Sequence, residues 1–288
     1  MRHLVLVSLV WGASFGLLKH ALAGVDPDLV NAVRMGLALL VFLPALLRGG
    51  RGGRLEFAAL GAVQFGLMYS LYNRSFALLQ GHQVALATLL TPLYVALFDD
   101  LLQRRFRWRF VAAAILSVGG AAICVGAGRV EGALDGLLLL QGANLCFAVG
   151  QVWYRRAFRR HPEFGDAQAM AWAYVGGFAV VFAAALPKLA LAADLKTTHW
   201  LTLAWLGVVA SGLCFYWWNL GARRVNAGVL AVMNDLKIPL GVLFSLVVFR
   251  ESASWPRLLF GAAVIVSALY LASREGARKE APLATADV

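Results

Sequence analysis

Long apolar runs broken by short polar interruptions set the pattern of this chain, and the runs are of helix length rather than strand length. They fall at roughly 3–22, 28–47, 55–77, 82–102, 108–127, 132–154, 166–186, 200–222, 226–248 and 255–273. Each is about 20 residues, the length an α-helix needs to cross the hydrocarbon core of a bilayer. The pattern predicts an all-α membrane protein with ten transmembrane helices.

The pattern also repeats. Leu71–Arg105 and Tyr216–Glu251 each place an aromatic-Asn pair, Tyr72-Asn73 and Trp218-Asn219, ahead of a proline. Pro92 precedes Trp108 by the interval at which Pro239 precedes Trp255. Repetition on this scale is the mark of a chain built from copies of one unit. The copies are read as 1–127 and 132–273, joined by Gly128-Arg129-Val130-Glu131, with 274–288 as a disordered polar tail. Five crossings per copy is an odd number, so the second copy enters the membrane from the opposite side. Two inverted five-helix repeats are the expected architecture, a construction in which substrate sites lie near the midplane where the halves meet.

Composition agrees with membrane residence: 61% of residues are hydrophobic and 14% charged, against about 25% charged in soluble domains. Mean hydropathy is +0.73. A net charge of +11 would suit nucleic acid, but most of the 26 Lys and Arg cluster at the ends of apolar runs, around 48–54, 104–109, 155–160, 223–224 and 274–279. That spacing is a topology signal, which places those loops and both termini in the cytoplasm. The first run, with Arg2 and His3 ahead of it and Ala21-Leu22-Ala23 near its end, resembles a signal peptide. Lys19 and His20 interrupt the approach to that triplet, and the repeat needs this run as partner of 132–154, so it is read as retained. Cys124, Cys146 and Cys214 have no paired spacing and are read as small core residues. No zinc-protease, nucleophile-elbow or phosphate-loop motif is present, and no cofactor is expected.

The residues WGASF (Trp11 to Phe15), the Pro27-to-Arg34 entry to the second run, the hairpin Tyr72 to Pro92 and its repeat ending in Phe249-Arg250-Glu251 resemble the drug/metabolite transporter superfamily, EamA type. Within it, Lys237 to Gly241 and the Trp-rich eighth run look most like the YddG-type aromatic amino-acid exporters. The resemblance implies a ten-helix secondary transporter of the bacterial inner membrane, not an enzyme, that exports small metabolites by alternating access. Its partners would be a small-molecule substrate and the lipid bilayer, with neither nucleic acid nor an obligate protein partner. The Glu that small multidrug antiporters use in their first helix is missing; Ser14 occupies that region.

Charge at bilayer depth is costly and marks function by default. Asp235 and Lys237 lie roughly 12–17 Å along their helix from Ala227 and point about 200° apart, so they make no local pair. Lys237 is expected to meet a substrate carboxylate. Pro92 and Pro239 cannot donate to the carbonyls of Thr88 and Asp235; these prolines are read as hinges and the freed carbonyls as acceptors for an ammonium group. Asn144, with Gln141, Ala148 and Gln151, forms one stripe of the sixth run. Trp11, Ser14, Tyr72, Thr88, Thr91, Tyr94 and Ser211 complete the expected substrate-binding set. Two further readings stay open: a sugar-phosphate or nucleotide-sugar type carrier that holds an anion with Lys237 and Arg34, and a membrane-embedded enzyme using Asp235 as acid. The basic clusters predict that reporter tags fused at residues 1 and 288 both read cytoplasmic; an external C-terminus would remove the even number of crossings.

Overall fold

The computed structural model describes residues 2–22, 24–46, 48, 52–76, 78–79, 84, 87–125, 134–248 and 254–279. Among them every regular element is helical. The chain runs through α1 (Arg2–Ala21), α2 (Pro27–Leu46), α3 (Arg54–Gly61), α4 (Met68–Phe76), α5 (Thr91–Gln103), α6 (Trp108–Val125) and α7 (Leu134–Arg160). It continues through α8 (Asp166–Ala185), α9 (Thr197–Ala204), α10 (Cys214–Ala222), α11 (Ala227–Met233), α12 (Lys237–Val248) and α13 (Trp255–Lys279). Two rods carry π-helical middles: Ala62–Leu67 joins α3 to α4, and Trp205–Leu213 joins α9 to α10.

Among the described residues five helices are long and apolar enough to cross a membrane by length and composition: Pro27–Leu46, Leu134–Arg160, Asp166–Asp194, Thr197–Ala222 and Trp255–Ser273. Other apolar runs are divided where the sequence contains proline. α5 starts at Thr91 after a turn at 89–90, with Pro92 in its first turn, and α12 starts at Lys237 after a turn at 234–236, with Pro239 in its first turn. A proline is accepted there because the first turn of a helix has no internal acceptor for its N–H. One expectation needs correcting: residues 274–279, read as disordered tail, continue α13 as helix. Neighbouring i→i−4 bonds carry the helix past the last apolar turn. The linker 128–131, the Phe249-Arg250-Glu251 motif and the tail from 280 lie outside the described residues.

Polar caps fix the helix entries. Asp26 Oδ1 accepts the N–H groups of Asp28 and Leu29 at 2.9 and 3.3 Å ahead of Pro27. Asn226 Oδ1 accepts Val229 N–H at 2.8 Å to start α11, while its Nδ2 reaches Ala272 O on α13 at 3.2 Å.

Packing relies on small residues, because lipid supplies no hydrophobic drive between helices. α3 crosses α8 so closely that a Cβ on Gly61 would overlap the carbonyl of Ala173, and one on Gly176 would overlap that of Ala58. α6 and α13 meet the same way through Gly120 and Gly261. The pairing across the chain is reciprocal: the α3 rod packs on α8 as the Trp205–Leu213 segment packs on α2, and α5 packs on α7 as α12 packs on α1.

Two measurements test this framework. Gly61→Ala or Gly176→Ala will lower the melting point of the purified protein by the equivalent of about 1–3 kcal/mol of overpacking; Gly119→Ala, with nothing within 4 Å of the new Cβ, will melt at or slightly above the wild type, because Ala is the better helix former. At Asp26, burial pushes the carboxyl up, but hydrogen bonds from Lys188 and from the backbone of Leu29 and Asp28 outweigh it and hold the group below its ordinary value. An acid depressed in the folded state stabilises above its unfolded pKa, and that contribution is lost as pH falls through the folded value. Wild type will therefore lose more melting temperature than Asp26→Asn between about pH 5 and pH 3.

Candidate functional site

A cavity of about 730 Å³, open mouth included, lies where α1, α2, α4, α5, α7, α10 and α12 converge. Its apolar wall is aromatic. The Trp11 ring stands 4.8 Å from Phe215 and 6.1 Å from Phe147; Trp218, 5.1 Å from Trp11, backs the wall from behind. Trp11 is anchored by Nε1 donating to Ala210 O at 2.9 Å, a carbonyl in the π-helical Trp205–Leu213 segment. Such segments recur at functional sites because the extra residue re-aims neighbouring groups.

Of the residues expected from sequence, Lys237, Asn144, Trp11, Ser14, Tyr72, Thr88 and Thr91 line this cavity together. Lys237 Nζ lies 5.9 Å from the Trp11 ring centre and 5.8 Å from that of Phe147, a cation over two aromatic faces. Asn144 Nδ2 donates to Ala87 O at 3.0 Å and to Gln141 Oε1 at 3.3 Å. Ser14 bonds back to Val10 O at 2.7 Å.

Three expected residues stand off the cavity lining. Asp235 is 2% exposed and its Oδ2 accepts from Ser117 Oγ of α6 at 2.8 Å; the opposed directions of Asp235 and Lys237 send one to α6 and the other to the cavity. Tyr94 donates to Gln141 Oε1 at 2.9 Å. Ser211 sits behind the wall and accepts from Arg34. The carbonyls expected to be freed by the prolines are both occupied: Thr88 O accepts from Thr91 Oγ1 at 2.7 Å, and Asp235 O from Ile238 N–H at 2.9 Å. In lipid a backbone acceptor left open is costly, so the nearest local donor closes it. Gln151, expected on the Asn144 stripe, pairs with Asn234 at 3.1 Å as a helix-to-helix contact.

Arg34, Met68, Tyr69, Ala143, Phe147, Ala210 and Phe215 complete the lining. Arg34 was legible by the rule that singled out Lys237: it is a cation about 10 Å inside an apolar helix, counted from Pro27. Among the binding residues expected from sequence it stands only as Lys237's partner in the alternative anion-carrier reading. The aromatic members carried no signal beyond composition.

The profile of the family described as the EamA-like transporter family matches residues 3–126 and again residues 134–274. A Pseudomonas aeruginosa protein named "Probable biotin transporter" is 43% identical over 289 residues, covering 97% of this chain and 99% of that protein. Proteins named "Biotin transporter" in Salmonella typhimurium and Escherichia coli K12 are 40% and 39% identical, each alignment covering 94% of this chain and 92% of the relative. A solved crystal structure at 21% identity superposes with a TM-score of 0.76 over 96% of this chain and 97% of its own, a likeness of fold.

Proposed function

The chain belongs to the EamA-like transporter family, and from that premise we propose that it carries a small organic acid of the biotin type across the bacterial inner membrane. The observation that carries this reading is the chemistry of the cavity wall. Its described lining holds two cations, Arg34 and Lys237, and no carboxylate, beside an aromatic face and neutral polar groups. Biotin has one carboxylate, an apolar arm and an uncharged ureido ring, and each part finds its counterpart: a cation, the Trp11–Phe147–Phe215 face, and the amide and hydroxyls of Asn144, Thr88 and Thr91. The relatives' names point the same way.

The same wall suits an amino-acid zwitterion poorly. Its ammonium needs an anionic or open acceptor, yet Asp235 is turned to Ser117 and the Thr88 and Asp235 carbonyls are occupied. The named relatives are not aromatic amino-acid exporters, so they lend that branch no support. Two cations in one cavity do favour the sugar-phosphate reading as runner-up, and the test includes it.

For the architecture we keep ten crossings in two inverted halves working by alternating access. The double match of the family profile, the reciprocal packing of α3 with α8 and of the Trp205–Leu213 segment with α2, and the proline-led starts of α5 and α12 support it. Lys237 and Asn144 are proposed substrate contacts, and Pro92 and Pro239 proposed hinges.

Counterflow into proteoliposomes loaded with unlabelled biotin tests the substrate. Labelled biotin will accumulate, and external biotin will compete at least about tenfold better than tryptophan or a hexose phosphate, a difference of about 1.4 kcal/mol. Stronger competition by either rival hands the site to that class.

A further inference from the structure

Of the two cations in the cavity wall, one is left without its full set of partners. Arg34 is 3% exposed. Its Nε and Nη2 donate to Ser211 Oγ at 3.2 and 2.9 Å, and Nη2 also donates to Tyr69 OH at 3.0 Å. The Tyr69 ring lies 4.6 Å from the guanidinium carbon. All of these partners are neutral. Nη1 is buried and has no hydrogen-bond partner. Asp28, the acid on the same helix, is engaged elsewhere, by Lys188 at 2.7 Å and Arg74 at 3.6 Å.

An unpaired charge at this depth is costly, and a guanidinium cannot shed its proton to escape the cost. Lys237 is better provided for, with its ammonium over the rings of Trp11 and Phe147. The planar fork of arginine also matches a carboxylate in a way that a point charge does not. Ser211 and Tyr69 engage Nε and Nη2 and leave Nη1, on a residue that lines the cavity, without a partner.

We infer that Arg34 is the seat of the substrate's carboxylate, received on the free Nη1 edge, with Ser211 and Tyr69 as the residues that position the guanidinium. The inference rests on the reading of the cavity as a site for a small organic acid. It assigns the substrate an orientation: acid end on α2, neutral end toward Asn144 on α7. It gives Lys237 a different part, as a cation over the aromatic wall of Trp11 and Phe147.

Equilibrium binding of labelled biotin and of neutral biotin amide to the purified full-length protein tests this. Wild type will prefer the acid to the amide by at least about tenfold. In Arg34→Gln the acid will weaken to the level of the amide while the amide binds as in wild type. Arg34→Lys keeps the charge but loses the fork, and will keep part of the preference; it also serves if Arg34→Gln does not fold. Lys237→Gln will weaken acid and amide by the same factor. Equal losses of acid and amide in both Arg34 variants, or loss of the preference in Lys237→Gln alone, overturn the inference. A wild type that binds neither biotin compound, yet binds other monocarboxylates over their amides in an Arg34-dependent way, sinks the biotin reading and leaves Arg34 standing.

Discussion

Satisfying the backbone without water is the constraint on which this structure turns. A helix in lipid closes its own hydrogen bonds, and this chain interrupts two of its apolar runs near the centre, ahead of α5 and of α12. Every break opens carbonyls that need a donor. Thr91 closes the one at Thr88, Ile238 closes the one at Asp235, and Gln141 and Asn144 of α7 both donate to Ala87 O, at 3.1 and 3.0 Å. These bonds hold α7 against the start of α5 and so place Asn144 in the cavity wall. Repair of the backbone and construction of the site are one set of contacts.

Around the breaks, cohesion comes from close approach rather than from large side chains. The glycines at 61, 120, 176 and 261 let backbones touch. Amide pairs, Gln64 with Asn219 at 3.2 Å and Gln151 with Asn234 at 3.1 Å, tie helices distant in sequence. Each such bond contributes only about 0.6 kcal/mol on average in a membrane, so they select register more than they supply stability. Charge is handled by segregation. Asp99 and Asp100 enclose Arg107 at the end of α5, and Glu56 takes Trp153 and His161 of the α7 end at 2.7 and 3.0 Å. Deep in the body, Asp235 turns its carboxylate to Ser117 on α6, while Lys237 and Arg34 line the cavity.

The described lining thus carries two cations and no carboxylate, at a depth where charge is costly and screening is weak. A carrier gains from such an arrangement only when the missing negative charge arrives with the substrate. The aromatic wall contributes area and shape but no net charge, so on the proposed reading discrimination among acids with similar arms falls to the neutral polar groups.

The sequence by itself determined the membrane class, the helix-length runs, the two prolines at which the runs 82–102 and 226–248 depart from a plain helix, and the depth of Lys237, too great for a topology signal alone. These follow from local rules, namely hydropathy over about 20 residues, the missing N–H of proline and 1.5 Å of rise per residue. Lys237, Asn144 and Trp11 were reachable in this way because depth along one helix is countable. What each polar group faces was not, since partners come from helices far apart in sequence: Ser117 for Asp235, Ser211 for Arg34, Asn234 for Gln151. Only the tertiary structure decided that Asp235 leaves the cavity, that the carbonyls near the prolines are closed, and that Arg34 enters it with one nitrogen free. The physical reason is that a helix fixes the angle between its own side chains but not the direction in which it turns them, and packing against helices distant in sequence sets that rotation.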